Sequence, residues 1–279
     1  MKYFYVISNL SKDYVLDVQD EVQSCLEKRG AVCRYMTDYE RMKNGRHTPG
    51  EYVPEDTQCI ITIGGDGTLI QAARDLAGRN IPMLGINRGH LGFLNQVDRT
   101  EDIDAAMDAL VNERFRLEHR MMLRGTVFHE GKPVFQDIAL NEIIATSAEH
   151  LRVLRYDLAV NDEYLNEYAA DGVMVATPTG STAYNLSAGG PVMAPAGRMM
   201  AVTPVCSHTL NARSIVLSEE DRVKIGLLGK GLVTFDGDTS QKTGPGDYLI
   251  VERSHMETVM VKLKQISFMQ NLSNYLGNV

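Results

Sequence analysis

The chain lacks the features that mark membrane and secreted proteins. No apolar stretch in its 279 residues approaches the roughly 20 residues that a membrane helix needs. The opening segment MKYFYVISNL is typical of a first β-strand rather than of a signal peptide. The four cysteines, at positions 25, 33, 59 and 206, contain no CxxC pair, which argues against a disulfide framework or a zinc site. We therefore expect a cytoplasmic protein without membrane partners, whose reduced cysteines are packing residues.

Basic residues are also scarce relative to acidic ones. Lys and Arg together number 28 against 36 Asp and Glu, which gives a formal net charge of -8. Nucleic-acid backbones are held by clustered Lys and Arg, and the sequence has no such stripe. We therefore expect no nucleic-acid partner.

The order of strand-like and helix-like segments predicts two domains. Over the first hundred residues apolar runs alternate with amphipathic segments, which favours an α/β domain with a Rossmann-like parallel sheet, although GxGxxG is missing. Beyond that point short β-type runs separated by turns predict an antiparallel, β-rich domain. We predict an α/β domain over 1–99, joined by the tail 256–279, and a β-rich domain over 100–255.

The most informative segment is CIITIGGDGTL, from Cys59 to Leu69. It predicts a buried parallel strand followed by a helix, so the turn lies at the carboxyl end of a strand, where open α/β sheets bind ligands. Glycines at 64, 65 and 67 let backbone N–H groups and the helix N-terminus approach a phosphate beside Asp66. The alternative is that Asp66 only caps the helix. We favour phosphate chemistry, with a divalent cation such as Mg²⁺ to offset repulsion in an acidic protein.

Three further motifs stand where loops are expected to meet a ligand. GINRGHLGFL (85–94) follows a strand-like run and has small residues where a substrate can approach the backbone. Asn141 and Glu142 follow the apolar run DIAL, and an amide beside a carboxylate is suited to reading a base edge or a ribose hydroxyl. The segment DGVMVATPTGSTAY (171–184) joins a strand to a loop dense in hydroxyl groups.

Taken together, these motifs resemble the NAD kinase family, in which GGDGT, GxNxGxLGFL, NE and DGxxxxTPTGSTAYxLSAGGP occur in this order. The resemblance covers roughly residues 58–247, and TPTGSTAY is its most specific part. It implies a two-domain NAD kinase-like fold and transfer of the γ-phosphoryl group of ATP, or of a donor such as polyphosphate, to the 2′-hydroxyl of the adenosine ribose of NAD, giving NADP. A divalent cation and a homodimer or homotetramer are implied as well.

The resemblance also implies roles for individual residues. Asp66 is the expected catalytic residue at the reacting ribose, and Asn141 and Glu142 are expected to hold the adenosine half of NAD. The other expected substrate or cofactor contacts are Gly65, Gly67, Thr68, Asn87, Gly89, Phe93, Arg152, Asp171, Thr179, Ser181, Thr182, Ala183, Tyr184, Asn185, Leu186, Ser187 and Gln241. No residue is expected as a metal ligand. Ala169-Ala170 and Arg213-Ser214 depart from the family pattern.

Alternatives stay open at this point. A lipid kinase shares the GGDGT turn, but TPTGSTAY and the lack of an evident basic or amphipathic membrane surface argue against it. A catalytically idle dinucleotide sensor would keep the binding loops, and the intact Asp66 argues mildly against that. The basic residues Lys43, Arg46 and His47 either meet phosphates or belong to a solvated loop, and we favour the loop.

Overall fold

The structure is a computed structural model that describes residues 1–37, 40, 43–88, 92–97, 100–149, 152–209, 212–263 and 268–277. It divides into two compact units. The first comprises residues 1–119 and 257–279, and the second comprises residues 120–256. The first unit is longer than the predicted range 1–99 because the helix Ile103–Val111 packs on the helix Val15–Glu27.

The strands are β1 (Tyr3–Ser8), β2 (Val32–Tyr35), β3 (Cys59–Ile63), β4 (Met83–Ile86), β5 (Arg116–His129), β6 (Lys132–Ala139), β7 (Glu142–Ser147), β8 (Leu154–Val160), β9 (Glu163–Ala170), β10 (Gly172–Ala176), β11 (Met199–Val205), β12 (Ile215–Ser218), β13 (Val223–Leu227), β14 (Gly231–Phe235), β15 (Thr239–Thr243) and β16 (Tyr248–Lys262). The helices are α1 (Val15–Glu27), α2 (Asp66–Asp75), α3 (Ile103–Val111), α4 (Tyr184–Ser187) and α5 (Phe268–Gly277). None of the described helices combines the length and the apolar character needed to span a bilayer.

The first unit is built on a parallel sheet in the order β2-β1-β3-β4, and Met260 of β16 pairs with Met83 beyond β4. Every residue of β3 is buried, which is why this strand reads as a continuous apolar run. One face of α1 packs on the sheet through Val15, Val18, Val22 and Leu26. Because β2 and β3 lie on opposite sides of β1, the chain changes direction across the sheet between β1 and β3, a switch point where such sheets bind ligands.

The second unit contains two antiparallel arrangements of strands. One follows the order β12-β11-β10-β7-β14-β15, and the other includes β16-β13-β8-β9 with β5 paired to β6 and to β16. Buried side chains from both pack into one hydrophobic core, which includes Phe235, Tyr156 and Leu249. Alternation of inward and outward residues is clearest in β13 and β14. The predicted α/β and β-rich characters are both present.

The cysteines follow the prediction only in part. Cys25 and Cys59 are buried and Cys33 is partly buried, and burial raises the pKa of Cys33 to about 11 and that of Cys59 to about 12. These three are therefore thiols inside the packing of the first unit. Cys206 was wrongly expected to be a packing residue: it is exposed, just after β11, where the chain turns with φ +48°.

Candidate functional site

A cavity of about 610 Å³ opens at the switch point of the first unit. Its walls come from the end of β1 and the segment after it, from residues 45–48, and from the glycine turn with the start of α2. The turn is tied to its neighbours, because Asn9 N–H donates to the Ile63 carbonyl and Gly64 N–H donates to the Ile86 carbonyl, each at 2.9 Å. The sequence thus places the GGDGT turn where the prediction expected it, at the carboxyl end of β3.

Cationic and hydroxyl groups line this cavity. Lys12, Arg46 and His47 supply the basic side chains, and Ser11 and Thr68 supply hydroxyls. Arg46 and His47 therefore lie in the cavity wall rather than in a merely solvated loop. Lys12 was not singled out in the sequence, because it lies 52 positions before Gly64, the first residue of the motif, and only the fold brings it close.

His47 is held in place by Asp75 on α2. Its Nδ1 lies 3.1 Å from Asp75 Oδ1, and Gln71 Nε2 donates to the same oxygen at 2.9 Å. The Thr48 N–H donates to the other oxygen, Asp75 Oδ2, at 2.6 Å. Gln71 Nε2 also lies 3.1 Å from His47 Nδ1, so the ring nitrogen is held between an amide and a carboxylate of the same helix. One wall of the cavity is therefore ordered by a single carboxylate.

The glycines of the turn serve different purposes. A Cβ on Gly64, whose φ is +155°, would lie 2.3 Å from Thr68 Oγ1, so that position requires glycine for packing as well as for backbone conformation. A Cβ on Gly67 would meet nothing within 4 Å. Gly67 is therefore not required by the fold, and its exposed backbone leaves room for a ligand.

Asp66 is the first residue of α2, and its carboxylate does not cap that helix. The N-cap is Gly65, and no side-chain capping bond is made. The carboxylate turns instead toward residues 92–95, where Phe93 N–H donates to Oδ2 at 3.1 Å and Asn95 Nδ2 donates to Oδ1 at 2.5 Å. A Cβ on Gly92 would lie 2.2 Å from Asp66 Oδ1. The glycine that must be small to admit the carboxylate is thus Gly92, which the sequence analysis had not singled out for this purpose.

The environment of Asp66 acts on its protonation in two opposed ways. Burial raises the pKa of its carboxyl group, and the N–H donors of Phe93, Leu94 and Asn95 oppose that increase. A carboxyl group so placed takes up a proton more readily than an exposed aspartate, which suits a group that accepts one during a reaction.

In the second unit, Asp236 organises the turn that carries Asn141 and Glu142. Its Oδ2 accepts the Leu140 N–H at 2.7 Å, and its Oδ1 accepts the Asn141 N–H at 2.8 Å. Asp236 has φ +50°, as the tight turn after β14 requires. The backbone that carries the predicted pair Asn141 and Glu142 is therefore held in place by the Asp236 carboxylate.

The hydroxyl-rich loop packs directly on the same turn. Thr177 N–H donates to the Asn141 carbonyl at 2.8 Å, and Thr177 Oγ1 donates to the Leu140 carbonyl at 2.6 Å. A Cβ on Gly180 would lie 2.2 Å from the Asn141 carbonyl oxygen. The structure thus brings together the NE and TPTGSTAY motifs, which are more than 30 positions apart in the sequence. Thr179 lies in this cluster and accepts a hydrogen bond from Arg120 Nη1 at 3.2 Å.

Glu142 is buried within this cluster. Burial, followed by the charge of Asp236, raises the pKa of its carboxyl group to about 8. Its Oε2 is enclosed with no hydrogen-bond partner among the described residues. A buried carboxyl group of this kind holds a proton near neutral pH and can donate a hydrogen bond.

Two of the predicted contacts have side chains that serve the loop itself. Ser181 is fully buried, donates to the Pro178 carbonyl at 2.7 Å and accepts the Met193 N–H at 3.0 Å. Asn185 is fully buried and accepts a hydrogen bond from Thr203 Oγ1 at 2.7 Å. These two side chains hold the loop, and their contact with a ligand stays a prediction.

A second cavity of about 610 Å³ lies elsewhere in the second unit and contains Arg152, Asp171 and His208. His208 Nε2 is 3.9 Å from Asp171 Oδ1. Strand β7 begins at Glu142 and ends at Ser147, and Asp171 lies beside the Ser147 end because Gly172 pairs with Thr146. The five residue steps from Glu142 to Ser147 correspond to roughly 17 Å. Arg152 and Asp171 are thus not brought together with Asn141 and Glu142 within one chain.

The other predicted residues are spread around these groups. Asn87 is buried and accepts the Tyr14 hydroxyl at 2.9 Å. Thr182, Ala183, Tyr184, Leu186 and Ser187 lie on the turn and on α4, where the Tyr184 side chain is exposed. Gln241 lies on β15, opposite Val233. Gly89 falls outside the described residues. Within the described part of the chain, no group of three or more His, Cys, Asp or Glu could hold a metal ion.

The sequence matches both domains of one protein family. Residues 5–115 match the ATP-NAD kinase N-terminal domain, and residues 140–263 match the ATP-NAD kinase C-terminal domain. Among individual relatives, the NAD kinase of Lachnospira eligens is 36% identical over 98% of this chain and 99% of the relative. The NAD kinase of Agathobacter rectalis is 37% identical over 100% of this chain and 99% of the relative.

Solved structures give the same result for the fold. The yeast NADH kinase in complex with NADH has a TM-score of 0.87 at 21% identity, covering 99% of this chain and 88% of that one. The NAD kinase from Archaeoglobus fulgidus in complex with ATP has a TM-score of 0.80 at 22% identity, covering 99% of both chains. The predicted fold class is confirmed.

Proposed function

The chain belongs to the NAD kinase family and is an NAD kinase, and we propose that it transfers the γ-phosphoryl group of ATP to the 2′-hydroxyl of the adenosine ribose of NAD. In this reaction the 2′-oxygen bonds to the γ-phosphorus, and the bond from that phosphorus to the β,γ-bridging oxygen breaks. ADP leaves, NADP forms, and the hydroxyl proton must be taken up. The observation that carries our assignment of roles is the partly buried Asp66 carboxylate in the turn whose glycines border the first cavity.

Asp66 is the group we assign to the hydroxyl proton. In a loose phosphoryl-transfer transition state the nucleophile's proton leaves late, so alignment of the hydroxyl and neutralisation of charge outweigh the strength of the base. Asp66 orients the attacking oxygen and accepts its proton. Its raised pKa supports this role, because the carboxylate is a better proton acceptor than an exposed aspartate.

The first cavity is our candidate site for the donor phosphates. Its support is the combination of Lys12 and Arg46 with the backbone of Gly65 and Gly67 at the start of α2. A helix N-terminus and cationic side chains both favour phosphate groups. In a chain with a net charge of -8, such local positive charge is what a triphosphate requires.

A divalent cation enters this proposal with the substrate. The described residues offer no group of three or more acidic, His or Cys side chains, so a resident protein cage does not fit them. Mg²⁺ commonly keeps several waters and is held largely by substrate phosphates. We therefore write the donor as the magnesium complex of ATP.

For the dinucleotide, the candidate contacts are Asn141, Glu142 and the neighbouring TPTGSTAY turn. Arg152 and Asp171 lie at the other end of β7, which supports an assembly in which they serve the site of a second copy. We accordingly propose a homodimer or homotetramer, to be tested by sedimentation at several protein concentrations. The cytoplasm is the proposed location, because all four cysteines are free thiols, as expected in a reducing compartment.

The experiment that tests the catalytic assignment compares wild type with Asp66→Asn in NAD, ATP and Mg²⁺, with NADP as the product measured. Turnover is expected to fall about 10²- to 10⁴-fold, with the dissociation constant for NAD little changed. Asp104→Asn is the matched control, because Asp104, on α3, is an exposed carboxylate that pairs with Arg29. Unchanged turnover in Asp66→Asn would remove Asp66 from the chemistry. An idle sensor would bind NAD without forming NADP, and a lipid kinase would ignore NAD.

A further inference from the structure

Asn95 is a buried residue whose backbone is firmly anchored. Only 2% of its surface is exposed. The segment after it runs beside β4: Gln96 N–H donates to the Gly85 carbonyl at 2.9 Å, and Asn87 N–H donates to the Val97 carbonyl at 2.9 Å. Ile86 and Val97 form a parallel bridge. The position of Asn95 is thus set by the sheet rather than by the loop alone.

The side chain of Asn95 is oriented by Asp66. Its Nδ2 donates to Asp66 Oδ1 at 2.5 Å, while its own Oδ1 is buried without a hydrogen-bond partner among the described residues. The reverse orientation would set an amide oxygen against the carboxylate, which is repulsive. A buried carbonyl oxygen without a partner is unfavourable, so a side chain that served only to fill space would be better as an apolar one.

Two glycines make room for this arrangement. A Cβ on Gly85 would lie 2.2 Å from Asn95 Oδ1, and a Cβ on Gly92 would lie 2.2 Å from Asp66 Oδ1. The first therefore admits the amide and the second admits the carboxylate. A glycine therefore lies on each side of the hydrogen bond between Asn95 and Asp66.

We propose that Asn95 is the positioning residue of the catalytic carboxylate: its amide fixes the rotamer of Asp66 and keeps that group able to accept the proton of the attacking hydroxyl. This inference rests on the proposed role of Asp66. Oδ1 is held by Asn95 Nδ2 and Oδ2 by the Phe93 N–H, so the amide and the loop backbone together fix the orientation of the carboxylate. Asn95 itself does not touch the reacting atoms.

The pKa of Asp66 can be followed in the pH profile of the reaction, and a purely structural role of Asn95 would leave that pKa unchanged. The Asn95 amide is among the donors that oppose the increase in the pKa of Asp66 caused by burial. Its removal is therefore expected to raise that pKa further, and the acid limb of the kcat/KM profile moves to higher pH. Asn95→Asp sets a second carboxylate beside the first and should move the limb in the same direction by more.

The test measures kcat, the KM for NAD and the pH profile of Asn95→Ala and Asn95→Asp. Loss of one hydrogen bond to a charged group should lower kcat roughly 10- to 100-fold, with the KM for NAD changed much less. The control is Thr62→Val on β3, which also removes a buried polar atom that lacks a partner among the described residues. It should keep the kcat and the pH profile of wild type.

The possible outcomes separate this inference from the function it rests on. If folded Asn95 variants keep both kcat and the position of the acid limb while Asp66→Asn is inactive, the positioning role is wrong and the role of Asp66 stands. A loss of kcat without a shift of the limb would indicate a structural role and also overturn the inference. Asn95→Asp preserves the shape of the side chain, so the comparison remains available if the alanine variant does not fold. If Asp66→Asn keeps its turnover, both assignments fall.

Discussion

Asp236 and Glu142 are hydrogen-bonded through their backbones and through one side chain at once. Glu142 N–H donates to Asp236 Oδ1 at 3.0 Å, and Asp236 N–H donates to the Glu142 carbonyl at 3.0 Å. The carboxylate that shapes the turn therefore also lies close enough to the Glu142 side chain to disfavour its ionisation. The Asp236 carboxylate therefore both shapes the turn and helps to raise the pKa of Glu142.

The first prediction concerns stability against pH. The pKa of Glu142 is about 8 in the folded chain against an ordinary value of 4.5. Between these values the folded state keeps a proton that the unfolded state has lost. The free energy of unfolding should therefore fall as pH rises, by at most about 1.4 kcal/mol per pH unit, and the contribution should level off above pH 8.

Urea unfolding from pH 5 to pH 9 checks this, with Glu142→Gln expected to flatten the decline. Asp236→Asn is the second variant, because it removes the nearby charge and should move the end of the decline to lower pH. His129, whose pKa is raised by Asp247, adds a decline of the same sign that both variants retain. Identical slopes in wild type and Glu142→Gln would contradict the assignment.

The second prediction concerns Lys12. If this side chain binds donor phosphates, Lys12→Gln should raise the KM for ATP roughly 10- to 100-fold, the value of one charge-assisted hydrogen bond. The dissociation constant for NAD should stay near that of wild type. Lys2→Gln is the matched control, since Lys2 is exposed on β1's flank and lies over the Tyr3 ring. A KM for ATP that is unchanged in Lys12→Gln would place the phosphates elsewhere.

The third prediction separates two glycines of one turn. Gly64→Ala should destabilise the protein by about 1–3 kcal/mol through overpacking, because its Cβ would lie 2.3 Å from Thr68 Oγ1. Gly67→Ala has open space and lies in the first turn of α2, so it should keep or slightly raise the melting temperature. It should nevertheless lose turnover, because a methyl group then stands where phosphate approaches the backbone. A fully active Gly67→Ala would argue against that approach.

Features formed by residues that are contiguous in the sequence could be predicted, and features formed where distant segments meet could not. The strand, turn and helix around Asp66 were predictable because apolar run, glycines and helix formers are contiguous. The roles of Gly92 and Asn95 were not, since they arise where a second loop meets the carboxylate. Lys12 lines the cavity only because the fold brings the segment after β1 next to the GGDGT turn. Ser181 and Asn185 show the converse: their motif was recognised, but only their burial reveals that they hold the loop.

The last prediction concerns the metal. Removing divalent cations with EDTA should abolish NADP formation, because the triphosphate then reaches the protein without its counter-ion. The melting temperature in the absence of nucleotides should not change, since the described residues contain no group of three or more metal-ligating side chains whose loss of an ion would unfold the chain. Addition of Mg²⁺ should restore turnover in proportion to the magnesium complex of ATP. A cation that raised the melting temperature without ATP would instead reveal a resident site.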